Sequence, residues 1–311
     1  MAVSRSVEPP APNTYGPVGR SAWLDIDWPA HQRFVRVDGR AVNVVELGAG
    51  PPVLFVHGLG GCWQNWLENL PDLARDHRVI AVDLPGFGAS EMPAQPVSLS
   101  LYARTLDAVC AELGVEAAAV VGNSMGGFAA AELAIAYPQR VERLVLVSAA
   151  GLHIADLHLD RVLAGLAMTR VDLVAGVYGR WVAAHAETVA KRSRLRRLMF
   201  AGIARHPEAV PWPLVAEQAQ GFGRPAFLPT LRAMANYPLR DRLTEIAYPT
   251  LVVWGANDRL VPVRDADAFT ELISDARKVV YDDTGHVPML ERPARFNADL
   301  RAFLEEPPAG T

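Results

Sequence analysis

The sequence contains very little cysteine: Cys62 and Cys110 are the two in 311 residues. Two cysteines cannot build a scaffold of several disulfides, and they are too few for a cysteine zinc site. Structural disulfides persist mainly in oxidising compartments. Their scarcity therefore favours a reducing compartment, and we expect a cytoplasmic protein.

Long uninterrupted apolar runs and an excess of positive charge are also missing. Four charged residues interrupt the most apolar long window, 161–182: Arg161, Arg170, Asp172 and Arg180. This argues against a membrane span. The formal net charge of −4 argues against nucleic acid or an anionic membrane as a partner. The first residues lack the apolar core of a secretory signal, and their prolines predict an N-terminal arm, 1–30, that is flexible or draped over the surface.

Strand-like and helix-like segments alternate through most of the chain. Six strand-like runs recur along the chain: "PVLFVH", "VIAVDL", "AAVVG", "RLVLVS", "TLVVWG" and "KVVYDD". The first two have the composition of strands buried on both faces. Strands that alternate with helices predict an α/β fold with a mostly parallel, doubly wound sheet. Two earlier strand-like pieces, "RFVRVD" and "AVNVVEL", flank Asp38-Gly39 and predict an antiparallel hairpin at the sheet edge.

One long segment interrupts the alternation. Residues 151–240 have helical patterning and contain no buried-strand run. An insertion of this kind between two strands of one sheet predicts a helical lid at one end of the sheet. We therefore expect a core of residues 31–150 and 241–311, with residues 151–240 as the lid.

The stretch Gly122-Asn123-Ser124-Met125-Gly126 matches the G-x-S-x-G pattern of a nucleophile elbow. A sharp strand-to-helix turn there would expose the serine hydroxyl, and the glycines would remove clashing Cβ atoms. The pattern alone is also compatible with a glycine-rich turn that contains an incidental serine.

A base and an orienting acid follow later in the chain. Serine is a weak nucleophile that needs a base, and the base needs a carboxylate. His286 follows the last predicted strand and Asp258 follows the strand before it. The carboxyl ends of parallel strands share one edge of the sheet, so we expect both residues near Ser124. The order serine, aspartate, histidine is typical of one fold.

Five motifs resemble, in the same order, those of the α/β-hydrolase superfamily in its lidded, esterase- and lipase-like branch: "HGLGG", "DLPGFGAS", "GNSMGG", "WGANDRLVP" and "TGHVPMLERP". The resemblance covers residues 33–305 apart from the lid. It implies the α/β-hydrolase fold with an inserted helical lid.

The resemblance also implies site residues: Ser124 as nucleophile, His286 as base, Asp258 as its orienting acid, and an oxyanion hole from the N–H groups of Met125 and Leu59. Gly60 is the alternative to Leu59, and Asp156 is the alternative acid because some relatives carry it after an earlier strand. Five residues would support these loops: His57, Gly58, Gly60, Gly122 and Gly126. Neither a metal nor an organic cofactor is implied.

The expected reaction is hydrolysis of a small or medium hydrophobic carboxylic ester through an acyl-serine. Carbon–carbon bond hydrolysis of the meta-cleavage type is an alternative, since Asn123 in "GNSMGG" resembles those enzymes. They carry tryptophan directly after the catalytic histidine, however, where this chain has Val287. Cofactor-free haloperoxidase or perhydrolase activity and a small-molecule receptor are further alternatives, and the sequence predicts no oligomeric state.

Overall fold

A single eight-stranded sheet forms the centre of the computed structural model, which describes residues 13–152 and 171–307. The strands are β1 (Gln32–Val37), β2 (Arg40–Leu47), β3 (Pro52–Val56), β4 (Arg78–Val82), β5 (Ala118–Asn123), β6 (Val141–Val147), β7 (Thr250–Gly255) and β8 (Ala276–Tyr281). Their spatial order is β1-β2-β4-β3-β5-β6-β7-β8. The pairings β1–β2 and β2–β4 are antiparallel, and the other five are parallel. The predicted mostly parallel sheet with an antiparallel edge is confirmed.

Helices cover the sheet and also lie in the described part of the long connection between β6 and β7. Those described are α1 (Trp28–His31), α2 (Leu70–Leu73), α3 (Leu99–Glu112), α4 (Met125–Ala136), α5 (Val171–Ala184), α6 (Ala186–Lys191), α7 (Ser193–Phe200), α8 (Trp212–Ala219), α9 (Phe227–Ala235), α10 (Arg264–Leu272), α11 (Pro288–Glu291) and α12 (Pro293–Leu304). Between β6 and β7, the described chain contains helices and turns but no strand. A helical lid is therefore part of the fold, while its bounds at 151 and 240 stay a prediction.

The central strands are hydrophobic on both faces because helices pack against both. In β3, Leu54 and Val56 belong to the core on one side of the sheet. The alternate residues Val53 and Phe55 belong to the core on the other side. Successive side chains of a strand point to opposite faces, so a strand covered twice reads as a continuous apolar run.

Local turn chemistry ends several elements where the sequence predicts. Asp38 and Gly39 both have positive φ, 49° and 75°, as a tight hairpin between β1 and β2 requires. Helix α3 also ends at a residue with positive φ, Gly114, whose φ is 65°. The Val115 N–H donates to the Cys110 carbonyl at 2.8 Å, which satisfies an orphan carbonyl of the last helical turn.

One helix predicted from spacing is broken into two short pieces. Trp63, Trp66 and Leu70 have helical spacing, but the structure has a 3₁₀ turn at Trp63–Trp66 and then the single turn α2. Pro71 lacks an N–H, so it is tolerated in the first turn of α2 but not inside one longer helix that begins at Trp63. The spacing instead reflects burial, since Trp66 and Leu70 are fully buried.

The sheet changes winding direction next to β3. The chain passes from β3 to β4 on one side and later returns to β5 on the other. In open parallel sheets, ligands bind outside the carboxyl ends of strands at such a switch point. The loops that follow β3 and β5, which begin at His57 and Ser124, lie there side by side, because Val56 and Gly122 are partners in the ladder.

The helix end at Gly114 gives a test of the local analysis. A Cβ at Gly114 would meet no atom within 4 Å, so Gly114→Ala introduces only left-handed backbone strain. We expect Gly114→Ala to lower the free energy of unfolding by about 1 kcal/mol in urea denaturation. The matched change Gly176→Ala, within α5 and without positive φ, should raise it by about 0.5–1 kcal/mol. Equal effects of the two changes would contradict this account of the helix end.

Candidate active site

Ser124 is the junction between β5 and α4 and has a strained backbone. Its φ is 54° and its ψ is −117°, values that a residue with a side chain rarely adopts. The Ser124 N–H donates to the Val147 carbonyl at 2.9 Å, and its carbonyl accepts from the Ala150 N–H at 3.0 Å. Both backbone groups are thus held by the end of β6, which keeps the turn sharp.

Two glycines beside the serine are required by close approach. A Cβ on Gly122 would lie 2.2 Å from the Gly126 carbonyl oxygen, and one on Gly126 would lie 2.2 Å from the Val56 oxygen. Real Cβ atoms do not come this close, so α4 begins directly against the ends of β3 and β5 only because both residues are glycine.

His286 and Asp258 form a hydrogen-bonded pair. His286 Nδ1 lies 2.7 Å from Asp258 Oδ2. The other oxygen, Oδ1, accepts from the backbone N–H groups of Leu260 at 2.8 Å and Val261 at 3.0 Å. The carboxylate side chain is fully buried, and the imidazole is nearly so. The pairing fixes the imidazole orientation and leaves Nε2 as the nitrogen free to act on a substrate.

The serine and the histidine come from adjacent loops. Asn123 Nδ2 donates to the Val147 carbonyl at 3.0 Å and lies 3.4 Å from the His286 carbonyl oxygen. Within the part of the chain that the structure describes, no hydrogen bond joins the Ser124 hydroxyl to the His286 ring. Hydrogen bonds between a nucleophile and its base often tighten only in the substrate complex.

The loop after β3 makes a glycine-dependent turn beside the serine. The Gly61 N–H donates to the Gly58 carbonyl at 3.0 Å, and Gly60 has a φ of 73°, which this turn requires. The Gly58 N–H points to Asn65 Oδ1 at 3.4 Å. The donors of Gly58 and Gly61 are therefore engaged, which leaves Leu59 and Gly60 as the loop's candidates for an oxyanion hole.

Met125 offers the second candidate donor. It is the first residue of α4, so its N–H has no partner within the helix. The two loops are in contact, since a Cβ on Gly58 would lie 3.4 Å from Ser124 Cβ. Assignment of the oxyanion hole to Met125 and Leu59 stays a prediction.

His57 holds the loop and is not a second base. Its Nε2 accepts from the Leu84 N–H at 3.0 Å, so Nδ1 carries the proton and donates to the Gly58 carbonyl at 2.8 Å. The ring is completely buried. Burial lowers the pKa of His57, which keeps the ring neutral, while the nearby Asp83 carboxylate acts in the opposite direction.

Asp83 is a buried carboxylate that ties this loop to its neighbours. It accepts from the Trp63 N–H at 2.7 Å and from the Ala89 N–H and Asn43 Nδ2, both at 2.9 Å. Cys62 is also buried, and burial together with Asp83 raises the pKa of its thiol. The thiol is thus protonated and packed, which disfavours a nucleophilic role.

The lid reaches the oxyanion loop directly. A Cβ on Gly221 would lie 2.5 Å from the Gly60 carbonyl oxygen, and a Cβ on Gly60 would lie 3.2 Å from the Phe227 ring. Asn65 Nδ2 also donates to the Gln218 side chain of α8. Sequence reasoning did not assign Asn65, Gln218 or Phe227 to the site. The one signal that could have pointed to any of them is the position of Asn65, seven residues after Gly58 of the glycine loop.

Asp156, the alternative acid, lies outside the described residues. The same is true of part of the apolar lid positions and of His153 and His158, which the sequence predicts to be solvated or pocket-rim residues of the lid. Among the described lid residues, Phe200 and Met234 are buried, whereas Val177 and Trp181 are exposed. The sequence predicts that most apolar lid side chains form the lid core, and Val177 and Trp181 are exceptions among those described.

The basic run of the lid is a solvated and intramolecularly paired surface. Lys191 pairs with Glu187 and lies over the Trp212 ring at 4.5 Å. Arg196 donates to backbone carbonyls, and Arg197 pairs with a glutamate of the same lid. The sequence predicts a solvated helix face for this run, with carboxylate binding as the alternative, and these intramolecular contacts favour the solvated face.

Comparison with known proteins adds to this geometry. A family model for the alpha/beta hydrolase fold matches residues 51–293. The chain belongs to the α/β-hydrolase family. At 34% identity over 285 residues, it is similar to the dihydrolipoyllysine-residue acetyltransferase component of the acetoin cleaving system of Cupriavidus necator, with 89% of this chain and 70% of that protein covered.

Further relatives of this α/β-hydrolase include enzymes with different printed activities. It is 31% identical over 288 residues to the 2-hydroxymuconate semialdehyde hydrolase of a Pseudomonas species, with 88% of this chain and 94% of that protein covered. A solved bacterial membrane phospholipase A matches with a TM-score of 0.67 and 26% identity over 88% of this chain and 85% of that one. The fold and the relatives together support a hydrolase.

The described residues contain neither a metal-binding cluster nor a membrane-spanning helix. No group of three or more histidine, cysteine, aspartate or glutamate side chains is arranged there to hold a metal ion. In the same residues, no helix combines the length and apolarity that crossing a bilayer needs.

The buried, neutral His57 predicts how stability depends on pH. Its pKa is lowered in the folded state, so the unfolded chain binds a proton below about pH 6.5 that the folded chain does not bind. This part of the stability is fully present above that pH and is lost as the pH falls. In urea denaturation at pH 7.5 and 5.5, we expect His57→Asn to lose less unfolding free energy on acidification than the wild type. An equal loss in both proteins would contradict the neutral ring.

Proposed function

We propose that this α/β-hydrolase is a serine esterase that cleaves small or medium hydrophobic carboxylic esters. The observation that carries the proposal is Ser124, held with φ of 54° and ψ of −117° at the switch point of the sheet. A strained, partly exposed serine next to a buried histidine–aspartate pair is an arrangement suited to nucleophilic acyl transfer.

In the acylation step, Ser124 Oγ attacks the ester carbonyl carbon and His286 Nε2 takes the hydroxyl proton. The carbonyl oxygen becomes an oxyanion, which the N–H groups of Met125 and Leu59 stabilise. The carbon–oxygen bond then breaks, and the imidazolium gives its proton to the departing alcohol oxygen. Asp258 holds the ring in the required tautomer and stabilises its positive charge.

Deacylation uses the same groups in a second cycle. His286 removes a proton from water, whose oxygen attacks the acyl-serine carbonyl carbon. The second oxyanion collapses, the bond to Ser124 Oγ breaks, and the proton returns to the serine. The products are the carboxylic acid and the regenerated enzyme, and no metal or organic cofactor enters the balance.

Two features favour an ester over a carbon–carbon bond. Asn123 stands where the motif resembles that of the meta-cleavage enzymes. It is almost fully buried, and its Nδ2 points at backbone carbonyls, so its amide group is engaged within the protein and not with a substrate. Val287, directly after His286, is a buried apolar residue in the core. The position thus lacks the tryptophan that those enzymes carry.

A lid side chain that lies against the oxyanion loop is aromatic. Phe227 is 39% exposed, which is unusual for phenylalanine, and its ring lies against Gly60. An exposed aromatic ring over the loop favours a hydrophobic group on the substrate.

Carbon–carbon hydrolysis is the second candidate. It is favoured by the 31% identity to a 2-hydroxymuconate semialdehyde hydrolase, a relative matched over 94% of its length. A small-molecule receptor on the same fold would keep these residues without multiple turnovers of an ester.

A substrate panel separates these functions. We expect multiple turnovers on p-nitrophenyl esters of short and medium chain length, little activity on a dienone acid of the meta-cleavage type, and no acylation of Ser124→Ala by a fluorophosphonate. Turnover should be lost in the same variant. Preference for the dienone acid would instead support the second candidate, and a single slow acylation would support a receptor.

The oxyanion loop can be tested without removing a side chain from the triad. Gly60→Val places a branched side chain at φ of 73° and against Phe227, so it should displace the loop donor. We expect kcat for ester hydrolysis to fall about 100-fold with KM nearly unchanged, since the hole acts on the transition state. Gly39→Val, at φ of 75° in the distant hairpin with no atom near its Cβ, is the matched control for backbone strain. A folded Gly60→Val with normal kcat would exclude this loop.

A further inference from the structure

A buried carboxylate outside the proposed triad holds the loop that carries His286. Glu291, in α11, is fully buried. Its oxygens accept from the Gly285 N–H at 2.9 Å and from the Val287 N–H at 3.3 Å. These two residues flank His286 on either side. The carboxylate therefore binds the backbone of the loop and not the imidazole itself.

The lid supplies the remaining backbone contact of this loop. The His286 N–H donates to the Ile203 carbonyl at 2.8 Å. Residue 203 follows α7 and lies in the connection between β6 and β7. Three successive N–H groups, those of Gly285, His286 and Val287, are thus each bound by a buried or lid acceptor. These hydrogen bonds restrict the conformation of the backbone that carries the imidazole.

Glu291 also binds the lid and the N-terminal arm. Its Oε2 accepts from the Arg205 N–H at 2.8 Å and from the Tyr15 hydroxyl at 2.7 Å. The same hydroxyl accepts from the His206 N–H at 2.9 Å. Burial and the Glu291 carboxylate raise the pKa of Tyr15, so its hydroxyl keeps the proton that it donates.

Further contacts fix the arm at this place. The Gly16 N–H donates to the Glu291 carbonyl at 2.7 Å, and Arg292 donates to the Asn13 carbonyl at 2.8 Å. The Arg292 guanidinium lies over the Tyr15 ring, 5.0 Å from its centre. The His206 ring meets the Tyr15 ring edge-on, with 5.2 Å between the ring centres. The arm, the lid and the histidine loop therefore meet at one carboxylate.

We propose that Glu291 and Tyr15 are positioning residues for His286, so that the N-terminal arm contributes to the geometry of the active site. The proposal rests on the proposed function, in which His286 is the base. Glu291 holds the loop backbone, and Tyr15 holds Glu291 and the lid segment in register with each other. Charge-assisted hydrogen bonds of this kind are stronger than neutral ones.

The expected effect is on the geometry of the base. Loss of the Tyr15 hydroxyl leaves the His206 N–H without its acceptor and Glu291 with one donor fewer. The lid segment and the histidine loop then shift relative to Ser124. Misplacement of a catalytic group by about 1 Å typically costs about 100-fold in rate, so a partial shift is sufficient to be measured.

Tyr15→Phe is the principal test, and Tyr281→Phe is its matched control. The Tyr281 hydroxyl donates to Asp299 at 2.7 Å, which is the same kind of tyrosine–carboxylate bond at the same length. Among the described residues, its hydroxyl makes no hydrogen bond to the histidine loop or to the lid. Glu291→Gln, which replaces one acceptor oxygen by a donor that faces N–H groups, is the stronger second variant where it folds.

Three readouts are measured on the full-length chain well below its unfolding temperature. They are the rate constant of fluorophosphonate acylation, kcat and KM on a p-nitrophenyl ester, and the downfield proton resonance of His286 Nδ1–H. We expect Tyr15→Phe to slow acylation and lower kcat about tenfold, with KM nearly unchanged and the resonance shifted or broadened. Tyr281→Phe should change stability alone.

The outcomes distinguish positioning from stabilisation. Equal losses of unfolding free energy in the two variants, with wild-type acylation and an unshifted resonance in Tyr15→Phe, would overturn the proposal. A wild-type chain that is acylated but does not cleave esters would refute the proposed substrate class alone. The acylation rate and the resonance would then still decide the role of Tyr15.

Discussion

The backbone of Ser124 is the constraint on which the candidate site depends. A non-glycine residue at φ of 54° and ψ of −117° costs on the order of 1–3 kcal/mol and persists only where its surroundings hold it. Here Val147 and Ala150, at the end of β6, bind its N–H and its carbonyl. Because Gly122 and Gly126 let α4 start against the strand ends, the sheet itself aims the hydroxyl at the crevice beside β3.

Two buried carboxylates organise the loops on either side of that hydroxyl. Asp83 binds backbone N–H groups around the oxyanion loop, and Glu291 binds those around the histidine. Neither loop has regular secondary structure, so each relies on acceptors from elsewhere to satisfy its N–H groups. The lid binds at both places. Gln218 accepts a hydrogen bond from Asn65 beside the oxyanion loop, the Arg205 N–H donates to Glu291, and the Ile203 carbonyl accepts from the His286 N–H. The lid and the site therefore form one connected hydrogen-bonded construction.

Much of the fold could be predicted from local pattern. The central parallel strands, such as β3, are continuous apolar runs because both faces of the sheet are covered there, and Asp38-Gly39 and Gly114 mark turns that need positive φ. Local pattern failed at Trp63, Trp66 and Leu70, where burial alone produced helical spacing and Pro71, which is tolerated in the first turn of α2, prevented one continuous helix. The motifs placed Ser124, Asp258 and His286 at strand ends, where the structure has them, although their catalytic roles and the lid bounds stay predictions.

The sequence by itself determined which residue types stand at the strand ends, since hydrophobic periodicity and glycine positions are local properties. Only the tertiary structure decided which groups meet. Tyr15 and Glu291 are 276 positions apart, and Asn65 and Gln218 are 153 apart. Such pairs leave no periodic trace, because the partner of a buried polar group is set by how the arm and the lid pack onto the sheet. A carboxylate in "HVPMLERP" reads as an ordinary helix residue until that packing buries it and brings four backbone or hydroxyl donors within reach.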